Sequence, residues 1–114
     1  MGALRIKQGI TWKPTMTFAI DGVPTRVESP ILEVREGSDA SSNLILHCDD
    51  GPSAYITQTS DGVMEFNVPW QITEGLQPGN WFYDFFGIVN GDRVCLAETD
   101  SFIVESSVTS VNNA

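Results

Sequence analysis

Short stretches of alternating apolar and polar residues, each closed by a glycine, proline or asparagine turn, constrain this chain more than any other feature. Alternation with period two is what a strand with one face in a core requires, and turns every ten residues or so leave no room for long helices. The clearest stretch is 11–20, where Trp12, Pro14, Met16, Phe18 and Ile20 share one face and Thr11, Lys13, Thr15, Thr17 and Ala19 the other. Pro14 has no N–H to give a ladder, which places the first half of that strand at a sheet edge or a bulge. Asp21-Gly22-Val23-Pro24 is a turn in which Gly22 supplies positive φ. Strands follow at 31–35, with Leu32 and Val34 inward, at 44–48 and at 54–59, separated by the polar loop 37–43 and the turn 49–53. Next comes 63–68, with Met64, Phe66 and Val68 on one face.

Pro69 ends that strand, and Trp70 to Gly75 is the one segment with room for a helical turn or two. Residues 81–89 alternate Trp81, Tyr83 and Phe85 against Phe82 and Phe86, so this strand is expected to be central and buried on both faces. Asn90-Gly91 is the strongest hairpin signal in the chain, because a type I′ turn needs positive φ at both central residues. The returning strand runs from Arg93, is expected to kink near 98–100, and ends at Glu105. Of 114 residues, 28 are Val, Ile or Thr, against six Leu and six Ala, a balance that favours pleated sheet. The fold class expected is all-β: a sandwich of seven to eight strands with at most one short helix. A single domain spans 1–105, and 106–114 is a polar C-terminal arm.

Charge narrows the partners. Six Lys and Arg against fifteen Asp and Glu leave a net charge of −9, which repels a phosphate backbone, so no nucleic acid is expected. No run of about 18 apolar residues occurs, and the first eight residues lack a secretory pattern. No membrane partner is expected, and synthesis in a reducing cytoplasm would keep Cys48 and Cys95 as thiols.

Catalytic signatures are missing. His47 has no second histidine or suitably spaced cysteine to make a zinc site and is expected to face solvent from its strand. No Gly-x-Ser-x-Gly elbow or phosphate loop occurs, and the aspartates at 49, 50, 61, 84, 92 and 100 match no calcium-loop spacing, most being turn residues. Expectations are therefore no enzyme, no catalytic residue, no metal and no cofactor. Of the eleven aromatics, Trp12, Phe18, Phe66, Trp81, Tyr83 and Phe85 fall at core positions. Trp70 either staples its connection to the core or stands out as a contact.

In order and spacing, these landmarks resemble small bacteriophage virion proteins typified by the immunoglobulin-like N-terminal domain of phage baseplate upper proteins. The resemblance begins at Lys7-Gln8-Gly9-Ile10-Thr11-Trp12, similar to an opening Gln-Gly-Asp-Thr-Trp, and continues through 21–24 and 31–35. Gly62 to Pro69 is similar to the family's strand before a short helix, and Leu76-Gln77-Pro78-Gly79-Asn80-Trp81-Phe82-Tyr83-Asp84-Phe85 to its Leu-Pro-Ala-Gly-x-Tyr-x-Tyr-Asp-Leu segment. Gly91 to Val94, Ser101 to Val104 and Val108-Thr109 complete it, so the likeness covers about 6–109. Two positions depart from it: Ile10 stands where the family has an acid, and Trp81 where it has the tyrosine of a tyrosine corner. A corner bond here would come from an indole N–H, which only donates.

The resemblance implies a non-enzymatic structural role in a virion, on the tail, baseplate or fibre, among other virion proteins and repeated copies of this chain. The alternatives are a capsid decoration protein and a carbohydrate- or receptor-binding module, the latter marked by aromatics exposed on one sheet face. The partner-binding residues expected are Leu4, Arg5, Ile6 and Lys7, as an edge strand that a neighbour extends, together with Trp70.

Overall fold

The computed structural model describes residues 2–108. Ten strands and one helix follow in the order β1 (Leu4–Lys7), β2 (Thr15–Thr17), β3 (Ala19–Ile20), β4 (Val23–Pro24), β5 (Glu28–Arg35), β6 (Leu44–Asp49), β7 (Ile56–Ser60), β8 (Val63–Phe66), α1 (Trp70–Glu74), β9 (Gly79–Val89) and β10 (Asp92–Glu105). Eight of the strands build two sheets, ordered β1-β10-β9-β5-β6 and β2-β8-β7, while β3 and β4 form a separate two-residue hairpin. The smaller sheet has the B-E-D order of an immunoglobulin domain, and β10-β9-β5-β6 has the order G-F-C-C′. The chain is thus an all-β sandwich, with β1 added in parallel alongside β10.

Alternation places the core. Leu32 and Val34 of β5, Leu46 and Cys48 of β6, Tyr83 and Phe85 of β9, and Phe102 and Val104 of β10 face inward and are buried. Met16, Met64 and Phe66 meet them from the other sheet, with Val68 just beyond its end. A run of edge-to-face rings crosses the interior: Phe85 to Phe66 at 5.6 Å, Phe66 to Trp12 at 5.6 Å, Trp12 to Phe102 at 5.4 Å and Phe102 to Tyr83 at 6.1 Å. Each such pair adds about 0.5–1.5 kcal/mol beyond its burial. Cys48 and Cys95 lie on β6 and β10 with β5 and β9 between them, three strand spacings or roughly 14 Å apart. No disulfide spans that distance, and both are free thiols.

Pro14 behaves as its chemistry demands. Trp12 and Val68 exchange both backbone bonds, at 2.9 Å each, whereas at Pro14 only the carbonyl is used, accepting from Phe66 N–H at 2.9 Å. The segment lies at the edge of the smaller sheet. Its alternation holds through Phe18 and then fails, since Ile20, expected inward, turns out into the β3–β4 hairpin and is 43% exposed. Gly62, at φ 74°, closes the turn between β7 and β8, where a Cβ would come within 2.2 Å of the Phe18 carbonyl. The kink expected near 98–100 is present as two register shifts inside one continuous β10.

Three expectations need correction. The strand 81–89 is central but not buried on both faces: Phe82 is 38% exposed and Phe86 half-buried, because the second sheet covers only the inner side. Trp81 is half-buried, its ring lying over Gly79 where a Cβ would come within 2.5 Å of it. Its indole N–H donates to the Gln77 carbonyl at 2.9 Å. Finally, Ile6 does not face a neighbour: it is core, 2% exposed, and Leu4 packs half-buried beside it. Most of the arm 106–114 lies outside the described residues.

Candidate functional site

Pairing register lays out the uncovered face of the five-stranded sheet as a grid. One row runs Cys95, Phe86, Ile31 and Asp49 across β10, β9, β5 and β6. The next runs Asp84, Glu33 and His47 across β9, β5 and β6, and a third runs Ser101, Phe82 and Arg35 across β10, β9 and β5. Phe82, Asp84 and Phe86 thus share one face of β9, a carboxylate between two phenyl rings. These side chains and the 37–40 loop line a groove of about 200 Å³, closed on the β10 side by Arg93 and Thr99. The Arg93 guanidinium sits 5.6 Å from the centre of the Phe86 ring.

His47 does not face solvent freely. Its Nδ1 lies 2.6 Å from Glu33 Oε2 and its Nε2 2.7 Å from Asp49 Oδ2. The hydrogen bond to Glu33 raises the imidazole's pKa, burial opposes it, and the bond to Asp49 adds to the rise. Burial pushes the Asp49 carboxyl up, but bonds from His47, from Ser53 and from Gly51 N–H outweigh that and hold it at about 2. Glu33 is likewise lowered, its bonds to His47 and Arg35 overcoming the opposing effect of burial. Asp84 is raised, first by burial and then by the neighbouring Glu33 charge. Burial takes the Cys48 thiol up to about 12 and also raises the thiol of Cys95. Neither sulfur is an activated nucleophile. No group of three His, Cys, Asp or Glu among the described residues is arranged to hold a metal ion.

The expected contact residues are scattered. Arg5 and Lys7 are exposed on β1, and Arg5 lies 3.9 Å from Glu105. The carbonyls of these two residues are already used: Arg5 O accepts the Trp12 indole N–H at 2.9 Å and Lys7 O accepts the Ile10 N–H at 3.2 Å. Trp70, in the first turn of α1, is 37% exposed, far from the groove in chain order and not among its lining residues. Sequence reasoning missed the Glu33–His47–Asp49 cluster and the Phe82–Asp84–Phe86 row. The i, i+2 spacing of His47 and Asp49 was the available signal for the first, but Glu33 joins only through the β5–β6 register.

No family model matches this chain, and no curated protein matches it. Among solved structures it is similar to the endo-β-1,4-mannanase from Thermotoga petrophila, at 16% identity and a TM-score of 0.56. That likeness covers 93% of this chain and only 18% of the mannanase, and it concerns the fold alone. The extracellular domains of the voltage-gated sodium channel β4 subunit align over 93% of this chain and 92% of theirs, at 10% identity and a TM-score of 0.36. Strand order and exposed face together define the class, a β-sandwich module of immunoglobulin-like topology. No helix among the described residues is long and apolar enough to cross a membrane.

Proposed function

We propose that this chain is a non-enzymatic binding module that serves as a structural component of a bacteriophage particle, on its tail, baseplate or fibre. The supporting observation is the outer face of the five-stranded sheet, where Phe82 and Phe86 stand half-open among charges of both signs on a molecule of net charge −9. Such a face is a recognition surface rather than a solvated one. The imidazole has both nitrogens engaged and both thiols are raised, which favours binding over catalysis. The virion setting rests on the sequence resemblance spread over 6–109. Its partners there are other virion proteins and copies of itself.

Strand addition at the β1 edge is disfavoured, because the carbonyls of Arg5 and Lys7 are occupied. Particles from a lysate of the phage encoding the chain, banded by density and labelled with antibody against it, test the assignment. Label on tails or baseplates is the expected result. Label on capsids would favour the decoration reading, and absence from banded particles would overturn both. A carbohydrate- or receptor-binding role is favoured by one specific observation, the exposed Phe82 and half-buried Phe86 on a single sheet face.

A further inference from the structure

We propose that the groove over Phe82, Asp84 and Phe86 binds a single neutral sugar ring of a saccharide. This rests on the reading of the outer face as a recognition surface and adds the class of ligand.

Size is the first constraint. At about 200 Å³ the groove falls below the roughly 300–1,000 Å³ of drug-sized sites, so it accommodates one ring and not a folded peptide. Charge is the second. Glu33, Asp39 and Asp84 line it together with Arg35 and Arg93. Three carboxylates against two guanidinium groups leave the lining within one charge of balance, so a free anion meets the carboxylates, a cation meets the guanidinium groups, and neither is strongly selected. A neutral ring bearing several hydroxyls uses both kinds of group, donating to carboxylates and accepting from guanidinium N–H.

Pairing already present in the site leaves that capacity open. Arg35 spends one N–H on the Ser42 carbonyl at 2.8 Å and one on Glu33 at 2.9 Å, out of the five a guanidinium carries. Among the described residues no side-chain hydrogen bond or ion pair engages Asp84, which lies between Phe82 and Phe86 along one face of β9 and opposite Glu33. That carboxylate lacks a donor, and a sugar hydroxyl supplies one. The C–H face of a pyranose is apolar, and Phe82, 38% exposed, offers it a flat surface to cover. The register that sets Phe82, Asp84 and Phe86 in a row therefore alternates apolar and polar contacts as a sugar ring does.

Amide NMR spectra of the full chain, titrated separately with methyl α-mannoside, methyl β-galactoside and N-acetylglucosamine to about 50 mM, reach millimolar affinities. At least one sugar should shift the amides of 82–86 and 31–35, and Phe82→Ala should weaken that binding about tenfold or more. Asp84→Asn, which preserves shape, should weaken it as well while leaving the rest of the spectrum in place. Nα-acetyl-lysine amide and inorganic phosphate are the charged comparisons. No shift at this face with any of the three sugars would overturn the proposal, as would binding of a charged probe alone. Particle association is read independently, so a chain that labels tails yet binds no sugar refutes only the ligand class.

Discussion

Both ring nitrogens of His47 lie against carboxylate oxygens, so the site prefers an imidazolium, and its pKa rises above the ordinary 6.5. A raised histidine contributes stability that is complete below about pH 6.5 and lost as the pH climbs through the folded value. The carboxylates work in the opposite direction. Asp49, lowered from 3.8 to about 2, contributes above 3.8 and loses that contribution as the pH falls through about 2. Thermal melts should therefore weaken on the alkaline side by at most about 1 kcal/mol, since the ring is 35% exposed and screened. In His47→Gln the alkaline decline should disappear; a decline that persisted in the variant would mean other groups cause it. Trp81 makes a second case at this scale. Because its ring is only half-buried, Trp81→Ala should cost about 2–3 kcal/mol in urea melts, less than the 3–5 of a fully enclosed aromatic. Asp49 explains why part of the site was hidden in the sequence. A turn aspartate beside Asp50 and Gly51 looks like loop chemistry, and it is that, accepting from Gly51 and Ser53 N–H; only the folded strand pair shows that its second oxygen also holds His47.

Strand existence was legible almost throughout, because alternation, Asn90-Gly91 and the Pro and Gly breaks act locally. The failures at this level are all relations between strands. Ile20 departs from its neighbours' alternation and lies in solvent because β3 leaves the sheet for its own hairpin. Residues 81–89 carry aromatics on both faces, yet nothing in one strand tells that the second sheet covers only one of them. β1 is the sharpest example. The sequence marks Leu4 to Lys7 as an edge strand open to a neighbour, and does not tell that Ile6 is core. The strand is bound tightly to the rest: the Tyr83 hydroxyl donates to the Gly2 carbonyl at 2.8 Å, and the Gln8 side chain donates to the Leu76 carbonyl at 2.8 Å. Removing residues 1–8 would open the interior at Ile6 and leave the buried phenol without its acceptor. The truncated chain should unfold at least about 3 kcal/mol more easily. A truncated chain whose urea midpoint matched the full-length protein would contradict this.

For the whole molecule, stability comes from packing across the sheets and not from a covalent link. Native protein should titrate one accessible thiol, that of Cys95, and denatured protein two, with a melting temperature indifferent to reductant. A fall in melting temperature on adding dithiothreitol would contradict the separation of the two cysteines across the sheet. The parallel pairing of β1 with β10 bears on a different property, resistance to force. Residues 4–7 run alongside 102–105 in the same direction, so tension applied at the two chain ends pulls the paired strands past one another. Every hydrogen bond of the pair is then loaded at once, in shear, whereas a hairpin pulled at its open end gives way one bond at a time. Stretched end to end in an optical or atomic-force instrument, the domain should yield at a higher force than when it is held across β9 and β10 at the end away from the Asn90-Gly91 turn. A module with that grip is suited to carrying tension between whatever is attached at its two ends.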